Sequence, residues 1–120
     1  MRAHKYGAKP TTIDGIRFAS KKEAKRFGEL KLLLLAGEIR ELQLQPEFPL
    51  QVPALHRMSY PNGELVLAGV GCYRADFSYE ERTGRTWQSV VEDVKGMKTP
   101  VYRLKKKMVE AAYGIAIRET

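Results

Sequence analysis

The chain has 120 residues, 43% of them hydrophobic, and 21 Lys and Arg against 14 Asp and Glu give it a formal net charge of +7. That length is one domain, 1–120, and the basic surplus favours a polyanionic partner, nucleic acid ahead of anionic membrane. One cysteine and two histidines exclude an intrachain disulfide, a zinc finger and a His-rich zinc site, so a catalytic metal would be a hard cation held by carboxylates.

Residues 1–10 read as a flexible basic arm without the apolar segment of a signal peptide. Asp14-Gly15 within Thr12–Phe18 predicts a hairpin, because this dipeptide favours the primed turns that join paired strands. Ser20 and Glu23 then form a capping box, and Ala24, Phe27, Leu30 and Leu34 follow at helical spacing. Ala36-Gly37 ends that helix. The longest apolar run, Leu32–Ala36, is far too short to span a bilayer, so the expectation is a cytoplasmic protein with no membrane partner.

Residues 39–52 read as strand, broken near Pro46. Pro61-Asn62-Gly63 is a turn signal. Tyr73 to Glu80 alternates as one strand, with Tyr73, Ala75, Phe77 and Tyr79 on one face and Arg74, Asp76, Ser78 and Glu80 on the other. Thr83-Gly84 turns the chain into a strand from Thr86 to Lys95, on which Trp87 is read as core. Pro100 suits the first turn of a second helix with Val101, Leu104, Met108 and Ala111 as its buried stripe. Gly114 closes it, and Ile115–Ile117 completes the set as a short strand. The elements predict an α/β domain with a mixed sheet flanked by helices, in α-β-β-β-α-β order.

The chemistry concentrates on Asp93-Val94-Lys95. The pattern D/E-x-K is common enough that roughly one copy is expected in a chain of this size, so its context decides. Glu23-Ala24-Lys25 and Glu29-Leu30-Lys31 fall on the first helix, where residues two apart do not face one another. Only Asp93 and Lys95 lie on a strand, where they do. The bland reading is a solvated ion pair, contributing at most about 1 kcal/mol. Val90, Val91 and Val94 argue for a buried strand instead, on which a charge needs a reason. Asp76, between Ala75 and Phe77, is in the same position. If the two strands pair, Asp76 and Asp93 would bind Mg²⁺ or Mn²⁺ together with the Val94 carbonyl, and Lys95 would orient or deprotonate a water. Glu23 is either a helix cap or a third carboxylate. Lys5 on the arm, Lys22 on the first helix, and Arg103, Lys106 and Lys107 on the second are the candidate nucleic-acid-binding cations.

Several segments together carry a family likeness. They are Lys5-Tyr6 through Asp14-Gly15-Ile16 to Phe18-x-Ser20-Lys21-Lys22-Glu23-Ala24, then Leu44-Gln45-Pro46-Glu47-Phe48 and Ala75-Asp76-Phe77. Val91-Glu92-Asp93-Val94-Lys95-Gly96 and Thr99-Pro100-Val101-Tyr102-Arg103-Leu104-Lys105 complete them. In this order the chain resembles the PD-(D/E)XK nuclease superfamily, and within it a small phage-encoded family of Holliday-junction-resolvase type. The resemblance implies a restriction-endonuclease-like core, with metal-dependent hydrolysis of phosphodiester bonds by Asp76, Asp93, Lys95 and Glu23. It implies branched DNA as substrate, a homodimer, a bacterial host carrying phage or prophage, and work in phage recombination, replication or packaging. Ala75 departs from the pattern, standing where the motif has proline.

Overall fold

The computed structural model describes residues 10–53, 67–94 and 98–120. The expected first hairpin is present: β1 (Thr11–Ile13) pairs antiparallel with β2 (Ile16–Phe18). Asp14 and Gly15 both take positive φ, 52° and 76°, as the primed turn requires.

Helix α1 (Lys21–Leu35) begins at Ser20, whose hydroxyl accepts a hydrogen bond from the Glu23 N–H at 3.1 Å. Its inward face is Glu23, Ala24, Phe27 and Leu30. Leu33 continues that face, whereas Leu34, expected there, is 41% exposed. The helix ends as Gly37 takes φ 76°. Gly37 N–H then bonds to the Leu34 carbonyl and Glu38 N–H to that of Leu33, the Schellman pattern that satisfies the last carbonyls.

Strand β3 (Ile39–Leu44) and strand β4 (Glu47–Pro53) are separated at Gln45-Pro46, as Pro46 predicts. Their partners are β6 (Phe77–Thr83) and β5 (Leu67–Arg74) respectively, both antiparallel. The run from Tyr73 to Glu80 is therefore not one strand. It breaks at Ala75-Asp76 and passes from one sheet to another, opposite the break at Gln45-Pro46. Gln45 N–H bonds to the Asp76 carbonyl at 2.9 Å and Ala75 N–H to that of Pro46 at 3.1 Å. The burial alternation survives the break: Tyr73, Ala75, Phe77 and Tyr79 are all buried. The turn signal at Pro61–Gly63 lies outside the described residues.

Strand β7 (Thr86–Asp93) pairs antiparallel with β6 through the turn at Gly84, and parallel with β8 (Ile117–Glu119). The main sheet is thus mixed, in the order β3-β6-β7-β8. Between β7 and β8 runs helix α2 (Pro100–Tyr113), capped by the Thr99 hydroxyl and closed by Gly114 at φ 64°. Its buried face includes Met108, as expected, but not the rest of the expected stripe. Val101 and Leu104 are 64% and 60% exposed, while Val109 is fully buried, Tyr102 is half-buried and Ala111 is exposed. Both sets are helically spaced. The face is chosen by Val109 meeting Ile117 in the core and by Tyr102 reaching β8, as described below.

The sheet separates two cores. Phe18, Ala24, Phe27, Leu30, Ile39, Phe77, Tyr79 and Val90 pack on the α1 side. Leu50, Tyr73, Ala75, Val91, Val109 and Ile117 pack on the α2 side. Val90 and Val91 fall in different cores because strand side chains alternate. Trp87 belongs to neither core. It is half-buried, with the guanidinium groups of Arg40 and Arg82 at 4.2 and 5.6 Å from its ring centroid. The molecule is a mixed α/β domain in which α1, the main-sheet strands β3, β6 and β7, α2 and the main-sheet strand β8 follow one another along the chain, with β4 and β5 interposed. Among the described residues no helix is long and apolar enough to cross a membrane.

Candidate active site

The strand break at Ala75-Asp76 builds the site. Phe77 opposes Glu92 in the β6–β7 ladder, so the next residues outward, Asp76 and Asp93, face one another across the strand ends. Asp76 N–H bonds to the Glu92 carbonyl at 3.1 Å, and an Asp76 carboxylate oxygen accepts the Val94 N–H at 2.7 Å. The Asp76 side chain is therefore held against the Asp93–Val94 peptide. Asp93 is fully buried, with 0% of its surface exposed. The structure thus brings Asp76 and Asp93 together, on the sheet face that α2 covers.

Glu92 points to the opposite face, and the sequence reading passed it over. It too is 0% exposed. Arg26 on α1 meets it with a two-pronged contact, Nε to Oε1 at 2.5 Å and Nη2 to Oε2 at 3.1 Å. The Tyr79 hydroxyl donates to Oε2 at 2.5 Å and the Thr120 hydroxyl to Oε1 at 3.0 Å. Burial alone would push the Glu92 carboxyl up, but these donors outweigh it and hold it below the usual carboxylate range. Burial, reinforced by the bond to Glu92, pushes the Tyr79 phenol up to about 12. The signal for this network was in Val90-Val91-Glu92-Asp93. Two adjacent carboxylates on a valine-rich strand must face opposite sides, and each then needs its own partner.

Glu119 was also missed. It pairs with Asp93 in the parallel β7–β8 register, and Thr120 N–H bonds to the Asp93 carbonyl at 2.9 Å. The Tyr102 hydroxyl donates to Glu119 Oε2 at 2.7 Å, and Lys98 and Lys106 approach Oε1 at 3.3 and 3.4 Å. The Tyr102 bond and these lysines hold the Glu119 carboxyl below its ordinary value. Burial, the bond to Glu119 and the nearby charge of Asp93 push the Tyr102 phenol up.

The other expected residues fall as follows. Glu23 is buried on α1, the helix that packs on the far face of the sheet. Among the described residues no three Asp, Glu, His or Cys side chains are gathered closely enough to hold a metal ion. Lys22 is exposed in the first turn of α1. Arg103, Lys106 and Lys107 line one cleft with Lys98, Glu110 and Glu119. Val94 is half-buried and packs against the α1-side core. Lys95 and Lys5 lie outside the described residues.

Asp76 and Asp93 offer only oxygen atoms. Such donors fit Mg²⁺ or Mn²⁺, which are commonly bound through one or two carboxylates with water completing the shell. The comparison with curated proteins and that with solved structures gave no match. Residues 3–118 match the family described as "Protein of unknown function (DUF1064)", and the chain, matched over nearly its whole length, belongs to that family.

Proposed function

We propose that the protein is a Mg²⁺- or Mn²⁺-dependent endonuclease of the PD-(D/E)XK superfamily, with a restriction-endonuclease-like core, acting on branched DNA as a homodimer. The observation that carries the proposal is the juxtaposition of Asp76 with Asp93–Val94 at the ends of β6 and β7. Two carboxylates on facing ends of central strands are a donor pair that suits a divalent cation, and the basic surplus of the chain suits a polyanionic substrate.

In this reading Asp76 and Asp93 hold the cation, with the Val94 carbonyl as a further donor. The bound metal supplies charge neutralisation at the phosphate and an acidified water. Asp76 keeps its orientation through the Val94 N–H. Lys95 moves a proton at the attacking water or stabilises charge on the phosphate oxygens. Glu23 acts as a third acidic group or only as a cap. Arg103, Lys106, Lys107, Lys22 and Lys5 bind backbone phosphates, which position the substrate without reading its sequence. A four-way junction is two-fold symmetric and needs paired cuts, so one site per chain requires a two-fold dimer.

A cleavage panel tests the substrate. Labelled four-way junction, flap, single strand and linear duplex are incubated with the protein in Mg²⁺, and its oligomeric state is followed by sedimentation. Paired symmetric nicks confined to the junction, made by a dimer, are expected. Equal cutting of all substrates would leave a nuclease that is not a resolvase. Absence of cutting by folded protein in both Mg²⁺ and Mn²⁺, with salt-dependent DNA binding retained, would make it a non-catalytic binding module.

A further inference from the structure

We infer that the cleft between the start of α2 and β8 is a docking site for a backbone phosphate of the bound nucleic acid, and that Glu119 occupies it as a built-in counter-charge which the phosphate displaces. The inference rests on the nuclease reading and locates part of its substrate.

The cleft has a volume of about 380 Å³ and is lined by Lys98, Arg103, Lys106, Lys107, Glu110 and Glu119. Four cations thus face two carboxylates. Glu110 is already committed, because its carboxylate accepts the Ile117 N–H at 2.8 Å at the start of β8. Glu119 is different. Three donors converge on it: the Tyr102 hydroxyl, Lys98 Nζ and Lys106 Nζ. A hydroxyl and two ammonium groups around one anion is the donor set a phosphate needs, and a carboxylate answers it only partly, with one charge and two oxygens.

The position is as telling as the chemistry. Glu119 is the register partner of Asp93, and neighbouring strands lie about 4.8 Å apart. A backbone whose scissile phosphate sits at Asp76 and Asp93 therefore runs beside this cleft, and a neighbouring phosphate can enter it. Displacing Glu119 sacrifices little. Its ion pairs are solvent-accessible, with side-chain exposures of 47% for Lys98, 24% for Lys106 and 25% for Glu119, and pairs of that kind hold weakly. Arg103 and Lys107, both exposed at the cleft, extend the positive surface beyond Glu119.

The test is DNA binding in EDTA, where no cutting can occur, measured by fluorescence anisotropy over a salt series. Glu119→Gln keeps the shape and the Tyr102 bond but removes the competing charge. It is expected to bind DNA about fivefold to tenfold more tightly near 0.1 M salt, with a salt slope steeper by about one, because the phosphate no longer shares the cations of the cleft with a carboxylate. Glu81→Gln is the control. It makes the same change in net charge at the Arg118–Glu81 pair, and is expected to change affinity less than about twofold, since neither residue lines the cleft. With Lys98→Gln and Lys106→Gln also present, Glu119→Gln is expected to gain nothing.

Equal effects of Glu119→Gln and Glu81→Gln would overturn the inference, as would weaker binding by Glu119→Gln. A parallel titration with inorganic phosphate at constant ionic strength separates a second source of the same chemistry. Tighter inorganic phosphate binding by Glu119→Gln without a gain for DNA would assign the cleft to free phosphate and overturn the inference. If wild type cuts DNA but Glu119→Gln matches its control, the cleft inference falls alone. If wild type neither binds nor cuts DNA, the nuclease reading falls with it.

Discussion

Glu92→Ala is expected to destabilise the fold by about 3–5 kcal/mol, the usual consequence of removing one partner from a buried ion pair. Arg26 would be left against the core with its two contacts gone, and the Tyr79 and Thr120 hydroxyls would lose their acceptor. A domain of this size has about 5–15 kcal/mol in total, so urea unfolding at neutral pH should show a large drop in midpoint. Glu92→Gln retains an acceptor and should lose only about 1–2 kcal/mol. Replacing both partners, Glu92→Leu with Arg26→Leu, should recover much of the loss, because the desolvated charge disappears with its mate. A Glu92→Ala protein within about 0.5 kcal/mol of wild type, the range of ordinary surface changes, would contradict this account.

The same network sets the acid response. Glu92 is held below the usual carboxylate range in the folded protein, so its contribution is full above the unfolded value of about 4.3. It is lost as pH falls through the depressed folded value. Wild type should therefore lose stability below about pH 4 more steeply than Glu92→Gln, which has no proton to take up at that position.

Asp93→Asn is expected to lower turnover about 1,000-fold or more while leaving the fold intact. A metal contributes several kcal/mol to the transition state, and each 1.36 kcal/mol is about tenfold in rate. The amide fills the same space but cannot neutralise a divalent cation. Asp76→Asn should behave alike, because an amide oxygen can still accept the Val94 N–H and only the charge is lost. Neither variant should bind DNA less tightly in EDTA, since each removes a negative charge facing a polyanion. Glu23→Gln separates the two roles left open for that residue. Glutamine serves a capping box as well as glutamate, so a loss of turnover with unchanged stability would make Glu23 a participant in the chemistry. Near wild-type cutting by Asp93→Asn would sink the active-site assignment.

What could be read in advance was what depends on neighbours in sequence. Asp14-Gly15, Ser20 with Glu23, Gly37, Gly84 and Pro100 each act within one turn, and each ends or starts an element where expected. The approach of Asp76 to Asp93 was legible because strand alternation and one hairpin turn fix which residues face each other. What escaped depends on partners far along the chain. The alternation from Tyr73 to Glu80 looks like one strand, and only the break opposite Gln45-Pro46 divides it between two sheets. The α2 face was misread because Val101 and Leu104 share helical spacing with Met108, while Tyr102 and Val109 share it too. The choice between them is made by β8 and the core. Glu92 escaped because its partner is Arg26, on a helix 66 positions earlier.

The most direct test of the central claim is a Mn²⁺ titration followed by electron paramagnetic resonance, for wild type, Asp76→Asn and Asp93→Asn. Changes to residues outside a metal's ligand set typically cost 10–100-fold in affinity, so each of these variants should weaken binding by about 100-fold or more, with Mg²⁺ displacing Mn²⁺ from wild type. Mn²⁺ bound equally by all three proteins, or not bound by wild type at all, would contradict the account.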